Sequence, residues 1–384
     1  MTSERMARMA LSCVTEPANP LVARAIAEFG AVDVWEGLLA QDGLMSKRAR
    51  ELKLKEVVSE CGSLGIRFVI PGDDEWPAQV EQLGCCEPVH KLCGAPIGLW
   101  LRGGGDLAKL CARSVSIVGA RAATAYGERA AGELACDLSD AGYAIISGGA
   151  FGIDAAAHRG CLAGRTPTIA VLAGGVNRAY PEAHASLFTR IAKDGVLVSE
   201  LPPSEHPTKV RFLGRNRLIA ALAIGTVIVE GAVRSGAKNS ITWATSLGRI
   251  TMAVPGPVTS AMSYSPHQLI RNAEAVLVTN SLEVLELVCP GAPDVPRPAV
   301  QRRATDDLSE NELRVYEFIP GRGSRSAEEL AMRAGLNIPV CLSVLHSLCD
   351  KELVMLNPAD QWQLKPASHV AMADHLENAG LRLL

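Results

Sequence analysis

Aromatic side chains, long apolar runs and paired cysteines are scarce or missing in this sequence. Aromatic residues make up 4% of the chain and hydrophobic residues 48%, so the core must consist mainly of aliphatic side chains. No run of about 18 uncharged apolar residues occurs, and a membrane-spanning helix needs such a run. The segment Met1–Arg8 carries charges and lacks the apolar centre of a signal peptide. We therefore expect a cytoplasmic protein that does not contact a membrane.

The sequence also lacks the spacings that mark metal sites and common hydrolytic sites. Its eleven cysteines show no recognisable pairing, which is typical of reduced thiols in a reducing compartment. Cys85, Cys86, His90 and Cys93 lie close together but contain no CxxC and have no second half-site, so we interpret them as loop thiols. No HExxH, nucleophile elbow or Walker A loop is present. We therefore predict no metal, no cofactor and no catalytic residue.

The formal net charge of −3 excludes a strongly basic protein, but the charges are unevenly distributed. Residues 113–290 contain 16 Lys and Arg against 13 Asp and Glu, a balance of +3, which leaves −6 for the rest of the chain. This excess alone does not decide between chance and a basic surface. Four cations fall within nine residues that contain no acid, and such clustering favours an anionic partner; they are Lys209, Arg211, Arg215 and Arg217.

The pattern of apolar residues divides the 384-residue chain into several parts. Residues 1–62 have apolar residues at helical spacing and predict a small helical domain. Residues 63–289 alternate strand-like and helix-like segments, and their strands are continuously apolar, which predicts an α/β fold with a doubly wound, mainly parallel sheet. Residues 290–305 are rich in proline and predict a linker. Residues 306–366 predict three helices and a hairpin, which is a winged-helix pattern, and 367–384 form a tail.

Four loops that suit phosphate groups accompany successive strand-like runs. They combine glycine, small residues and basic residues, and they are Val118–Arg121, Ser147–Asp154, Lys209–Arg217 and Arg234–Lys238. Such loops at the carboxyl edge of a parallel sheet form sites for anionic ligands. They contain more cations than one small phosphate needs, which favours a polyanion. The first loop is not GxGxxG, because Arg121 stands where a pyrophosphate needs bare backbone, and this argues against a dinucleotide enzyme.

Two of these loops predict particular contacts with a nucleic acid. The backbone N–H groups of Ser147–Gly152 and the Ser147 hydroxyl could hold a phosphate, or the glycines could serve only a tight turn. Lys209 and Phe212 are three residues apart, so a helical turn would place a cation and a ring on one side. Phe212 alone would suit the core. Beside four cations, we interpret it as a platform on which a base of a single strand stacks.

Several motifs together resemble the DNA processing protein A family (DprA, also called Smf). They are Asp74–Pro77, Val118–Gly127, Ser147–Gly160, Ser199–Pro203, Phe212–Ile219, Glu230–Gly236 and Ala253–Gly256. The resemblance implies an extended Rossmann-like core that binds single-stranded DNA, a SAM-like N-terminal domain and a C-terminal winged helix. It also implies a non-enzymatic homodimer of natural transformation and recombination. Such a protein protects single-stranded DNA and helps to load a RecA-type recombinase.

Carried over by position, the resemblance implies that ten residues bind DNA. They are Arg121, Ser147, Gly148, Gly149, Lys209, Phe212, Arg215, Asn216, Arg217 and Lys238. Phe151 stands where the family often has arginine, and Leu213 stands where it usually has proline. The alternative is a nucleotide-processing enzyme that is similar to the lysine-decarboxylase-like phosphoribohydrolases. That class needs a Pro-Gly-Gly-x-Gly-Thr loop, and the matching stretch here, Arg234–Ser240, lacks it.

The ends of the chain suggest contacts other than DNA. The third predicted helix of the winged-helix pattern, Pro339–Cys349, contains no Lys or Arg, whereas a DNA-reading helix normally carries cations. We therefore expect this domain to bind a partner or to support a dimer. The apolar-rich segment Leu269–Leu277, together with the family resemblance, predicts a homodimer.

Overall fold

The computed structural model describes residues 3–233, 235–289 and 305–365. These residues form two compact units, one within Met1–Val295 and the other within Pro296–Leu384. The boundary predicted at residue 62 falls inside the first unit. All but the last residue of the predicted linker at 290–305, residue 366 and the predicted tail at 367–384 lie outside the described residues.

Five short helices begin the first unit and confirm the helical N-terminal region. They are α1 (Glu4–Val14), α2 (Pro20–Phe29), α3 (Ala31–Ala40), α4 (Leu44–Glu51) and α5 (Leu54–Leu64). Local sequence signals set their ends. Ser3 caps α1 by accepting a hydrogen bond from the Met6 N–H, and Asn19 caps α2, whose first residue is Pro20. Gly65 ends α5 in the left-handed conformation, with φ at 63°.

Nine strands of the first unit form one sheet in the order β1-β2-β6-β5-β4-β3-β7-β8-β9. They are β1 (Ile66–Val69), β2 (Leu99–Arg102), β3 (Ser114–Val118), β4 (Ala144–Ser147), β5 (Ile169–Val171), β6 (Val196–Ser199), β7 (Gly225–Ile228), β8 (Ile250–Ala253) and β9 (Val276–Leu277). Strands β3 to β9 pair in parallel, and β2 is antiparallel to β1 and to β6. The predicted mainly parallel sheet is therefore confirmed.

Helices follow most of these strands, as the alternating pattern predicts. They are α6 (Leu107–Ala112), α7 (Ala125–Asp140), α8 (Ile153–Cys161), α9 (Ala185–Asp194), α10 (Lys209–Leu222), α11 (Ala237–Ser246), α12 (Tyr264–Arg271) and α13 (Ser281–Val288). A 3-10 turn over Glu182–His184 leads directly into α9.

The order of the strands creates a switch point at the centre of the sheet. From β3 the chain winds outward on one side through β4, β5 and β6, and then returns through α10 to β7 on the other side of β3. Loops that leave the carboxyl ends of β3 and β7 diverge there, and in open α/β sheets this crevice is where ligands bind. The topology therefore places the loops after β3 and β7 beside α10.

The core of the first unit covers both faces of the sheet. One apolar cluster joins β5, β6 and β7 to the second half of α10, where Leu218–Ala223 are buried. Another joins β3, β4 and β7 to α7 and α8, with Leu134 and Leu138 buried. Each fully buried leucine stabilises the fold by roughly 1.5–3 kcal/mol relative to an exposed one. The N-terminal helices join a third cluster, in which Met9 packs with Trp100 of β2.

The second unit contains three helices and a two-stranded hairpin, as predicted. They are α14 (Glu310–Glu317), α15 (Ala327–Ala334), α16 (Ile338–Asp350), β10 (Val354–Leu356) and β11 (Trp362–Leu364). Ser309 and Glu312 form a reciprocal capping box at the start of α14. The three helices and the hairpin share one apolar core, which includes Leu330, Leu345 and Trp362.

No single helix in the described part of the chain is long and apolar enough to span a membrane. The helices α15 and α16 reach the required length and apolarity only when taken together, and the chain bends by 105° between them.

Candidate nucleic-acid interface

A cleft of about 660 Å³ opens at the carboxyl edge of the sheet, at the switch point between β3 and β7. We call it the main cleft. The loop after β3 (Val118–Ala122) forms one wall, and Ala232, Ser235 and Gly236 after β7 form another. Residues of α10 between Lys209 and Ile219 line the cleft as well. The loops after β3 and β7 and the segment Lys209–Arg217, which were predicted to suit phosphates, thus meet at one site.

The start of α10 places a cation and a ring side by side in the main cleft. The Thr208 side chain caps the helix by accepting a hydrogen bond from the Arg211 N–H at 3.3 Å. Lys209 is the first residue of the helix and Phe212 follows one turn later, so both line the cleft. Lys209 is exposed and Phe212 is half-buried. Lys209 and Phe212, predicted to lie on one side of a helical turn, thus both line the same cleft.

Three side chains surround the Phe212 ring. The Arg121 guanidinium carbon lies 4.7 Å from the ring centroid, and that of Arg215 lies 5.9 Å from it. The Tyr180 ring centroid is 5.7 Å from the Phe212 centroid, with the planes tilted by 51°. Cations at these distances are attracted to the negative face of an aromatic ring. Two guanidinium groups and a second aromatic side chain therefore lie close to the Phe212 ring.

Arg215 supports this arrangement from beneath the surface. Its Nη1 donates a hydrogen bond to the Val171 carbonyl oxygen at 2.7 Å. Burial lowers the pKa of Arg215 to about 10, against the opposing influence of the nearby Asp154 carboxylate, so the guanidinium stays protonated at neutral pH. A Cβ atom at Gly148 would lie 1.8 Å from Nη1 of Arg215. Glycine at 148 is therefore required because the guanidinium occupies the space of any side chain.

Comparison with known proteins identifies the family. The family model of DNA recombination-mediator protein A matches residues 67–289, which is more than half of the chain. The chain belongs to this family. A Mycobacterium tuberculosis protein, named provisionally as DNA processing protein DprA, is 46% identical over 279 residues, 71% of this chain and 70% of its own length. Protein Smf of Escherichia coli is 35% identical over 273 residues, 69% of this chain and 72% of its own.

The fold agrees with a solved member of the family. The crystal structure of DNA processing protein A from Streptococcus pneumoniae superposes with a TM-score of 0.61 at 27% identity. The match covers 74% of this chain and 97% of that one. The predicted membership of the DNA processing protein A family is thus confirmed.

Of the ten DNA-binding residues predicted for this recombination mediator, five line the main cleft. They are Arg121, Lys209, Phe212, Arg215 and Asn216. Gly148 lines a smaller neighbouring hollow. The structure therefore brings together residues from the loops after β3 and β4 and from α10.

Two residues of the Ser147–Gly152 loop have other contacts, which corrects the predicted phosphate cradle. Ser147 is fully buried, and its hydroxyl donates a hydrogen bond to the Ile117 carbonyl oxygen at 2.7 Å. Gly149 has φ at 69°, and a Cβ there would lie 2.5 Å from the Phe188 ring. Neither residue lines the cleft. In this family member the tight-turn interpretation describes Gly149 better than phosphate binding does.

Arg217 corrects another predicted DNA contact. It is fully buried, and its guanidinium makes two hydrogen bonds to the Glu200 carboxylate, at 2.5 and 2.7 Å. Arg217 Nε also donates to the Gly94 carbonyl oxygen at 3.2 Å. A phosphate cannot reach this side chain, because it faces the core behind α10. Its role is to join α10 to the end of β6 and to the loop before β2.

Arg211 of the cluster and Lys238 of the last loop also differ from the prediction. Arg211 binds the carboxylates of Glu16 and Glu205, at 2.8 and 2.5 Å. Lys238 lies within α11, not in a loop, and is exposed outside the main cleft. Lys209 is thus the one cation of the Lys209–Arg217 cluster that is exposed in the cleft without an acidic partner within the described part of the chain.

Sequence reasoning missed Tyr180. Tyr180 lies in the loop after β5 and lines the cleft beside Phe212. The signal that could have found Tyr180 is its position in a loop that follows a strand of the parallel sheet. Asp154 also lines the cleft, and it accepts a hydrogen bond from the Ala150 N–H at 3.3 Å. Burial raises the pKa of Asp154 above its ordinary value, although the Arg215 charge opposes this shift.

The two carboxylates that end strands beside the site have structural partners. Glu200 pairs with Arg217. Glu230 accepts hydrogen bonds from the Thr124 N–H and hydroxyl, at 2.9 and 2.6 Å, and so holds the start of α7. Among the described residues, no group of three or more His, Cys, Asp or Glu side chains is placed to hold a metal ion.

Proposed function

We propose that this recombination mediator binds single-stranded DNA in the main cleft. The observation that carries the proposal is the Phe212 ring, which lies beside the guanidinium groups of Arg121 and Arg215 in a cleft that also exposes Lys209. Aromatic platforms for bases and cations for phosphates are the means by which proteins hold single strands without sequence preference. Membership of the DNA recombination-mediator family supports this assignment.

The geometry favours single strands over duplexes. The ring is half-buried in the cleft, so a base must leave its stack to reach it, and bases of an intact duplex are already paired and stacked. Groups that could read base edges are few. The Asn216 amide donates to the Asn239 side chain at 3.2 Å and to the Gly236 carbonyl oxygen at 3.4 Å. We therefore infer weak sequence preference.

We infer a binding role and not catalysis. The Asp154 carboxylate, which lines the main cleft, accepts a hydrogen bond from the Ala150 N–H, and the carboxylates of Glu200 and Glu230 are tied to Arg217 and Thr124. Incubation with nucleoside monophosphates tests this inference, because the alternative phosphoribohydrolase activity would release free base. We expect none.

Membership of the recombination-mediator family supports a proposal for the cellular role. We propose that the protein acts in the cytoplasm, protects single-stranded DNA during uptake and recombination, and passes it to a RecA-type recombinase. We also propose a homodimer. The edge strand β9 lies within the apolar-rich segment Leu269–Leu277, and its Val276 and Leu277 side chains are 49% and 45% exposed. Light scattering at micromolar concentration tests the dimer, and a monomer would contradict it.

A titration with labelled oligonucleotides tests the DNA-binding proposal. We expect tighter binding to single strands than to blunt duplexes, and a steep loss of affinity with salt because bound phosphates release counterions. Lys209→Ala should weaken binding and flatten the logarithmic salt slope by about one. The matched control is Lys193→Ala, an exposed lysine near the end of α9 at the opposite edge of the sheet, which should bind normally. Equal or tighter binding to duplex DNA would refute the proposal.

A further inference from the structure

A smaller hollow of about 220 Å³ adjoins the main cleft. Its lining includes Gly148, Leu172, Arg178 and His206, and it shares Tyr180, Pro207 and Phe212 with the main cleft. The Tyr180 and Phe212 rings, whose centroids are 5.7 Å apart, therefore stand between the two hollows. Tyr180 is 50% exposed, so a chain that lies in the main cleft can pass over its ring into the smaller hollow.

We propose that the smaller hollow holds the base of the neighbouring nucleotide of the same strand, and that Arg178 contacts the phosphate of that nucleotide. The inference rests on the proposed function, and it assigns to the site a second nucleotide position and a further cation. Tyr180 then separates two adjacent bases and offers each of them an aromatic surface.

The charges around the smaller hollow exclude a phosphate from its interior. Glu182 and Glu205 both line it. The Glu205 carboxylate is bound by Arg211 at 2.5 Å, but the exposed Glu182 has no such partner in the described part of the chain. A phosphate inside would meet these carboxylates at close range, where like charges repel. A base carries no charge and avoids this repulsion.

The lining is suited to the flat faces of a base. Leu172, Ala173 and Ala179 supply an apolar wall beside the Tyr180 and Phe212 rings. Arg178 lines the same hollow and is exposed, so its guanidinium is accessible to a backbone that runs along the mouth. Its Nη1 lies 3.0 Å from Nε2 of His206, which orients the guanidinium without neutralising it. The base and the phosphate of one nucleotide therefore each have a matching surface.

The test compares variants on fluorescent oligothymidylates of increasing length. Arg178→Ala removes the exposed cation, and Ala179→Leu fills the hollow without touching the main cleft. The matched control is Arg190→Ala, an exposed arginine on α9 that lines neither hollow. Thermal melting confirms that each variant is folded, and Arg178→Lys tests whether positive charge restores binding.

We expect both variants to bind the shortest oligonucleotides like the parent protein and to lose affinity only for longer ones. Arg178→Ala should flatten the salt slope by about one, and Arg178→Lys should restore it. Ala179→Leu should cost roughly tenfold in affinity with little change in salt slope, as expected for one lost stacked base.

The inference is overturned if Arg178→Ala and Ala179→Leu match the Arg190→Ala control at every length while Phe212→Ala still weakens binding. If Phe212→Ala and Lys209→Ala also leave binding unchanged at every length, the proposed function itself fails. The two failures are therefore distinguishable.

Discussion

The Phe212 side chain is half-buried in the protein, and its ring also lines an open cleft. Phe212→Ala should weaken single-strand binding by about 1–3 kcal/mol through lost stacking, with little change in salt slope. Fluorescence anisotropy across a salt series measures both quantities. Phe212→Tyr keeps the ring and serves as the control. A lower melting temperature with unchanged affinity would show that Phe212 is a core residue.

The buried pair of Arg217 and Glu200 predicts a different effect, on stability. Glu200→Ala leaves a fully buried guanidinium without its carboxylate, and we expect a loss of about 3–5 kcal/mol in the free energy of unfolding. Replacing both residues, by Arg217→Met with Glu200→Leu, should recover much of this loss. Urea denaturation measures the change. Single-strand affinity per folded molecule should stay within about twofold of the parent. A large loss of affinity in the folded variant would show that Arg217 does bind DNA.

At the scale of elements, most strands of the sheet could be predicted because they are continuous apolar runs that are covered on both faces. The strand pattern also predicted the positions of β3, β4 and β7 and of the start of α10. Together these positions predict the cleft at the switch point. The directions of the α10 arginines did not follow. Arg215 and Arg217 are two residues apart on one helix, and only distant partners, the Val171 carbonyl and the Glu200 carboxylate, decide where each guanidinium points. Contacts with such distant residues cannot be predicted from the local sequence.

In the second unit, α14 and α16 are joined at one carboxylate. Glu312 accepts hydrogen bonds from the Ser309 N–H, the Ser347 hydroxyl and the Lys351 ammonium, each at 2.7 Å. The Lys351 hydrogen bond, followed by that of Ser347, lowers the pKa of Glu312 to about 2. A depressed carboxyl pKa stabilises the fold above the ordinary value of 4.5, and this stability is lost as the pH falls from there towards 2.

This pH dependence can be measured on residues 305–365, which have their own apolar core. The urea midpoint, followed by circular dichroism, should fall as the pH decreases through this window. Glu312→Gln should lower the midpoint at neutral pH and remove most of the dependence. Glu317→Gln, at an exposed position of the same helix, is the control. An unchanged pH profile in Glu312→Gln would contradict the assignment.

At the scale of the whole molecule, the described part of the second unit is acidic. Residues 305–365 contain 6 Lys and Arg and 10 Asp and Glu, which gives a net charge of −4. α16 contains no Lys or Arg, and it exposes Ile338 and Leu342 one turn apart. A surface of this kind repels phosphates. We therefore retain the prediction that this unit binds a partner or supports a dimer.

Truncation after residue 294 should therefore change single-strand affinity by less than about tenfold, or 1.4 kcal/mol. The first unit retains its own core without the second, so the shortened protein should remain folded. Gel shifts of the truncated and full-length proteins at equal salt provide the measurement. A larger loss in a folded truncated protein would show that the second unit binds DNA.

Helix α10 should link ligand binding to thermal stability, because it both contributes to the cleft and crosses the centre of the sheet. Its first turns hold Lys209 and Phe212, and its last turns, Leu218–Leu222, are buried. A ligand bound at one end is thus coupled to the cooperative unfolding of the whole unit. Excess oligonucleotide should raise the melting temperature of the first unit in proportion to the logarithm of its concentration over Kd, so that calorimetry can rank ligands without any label.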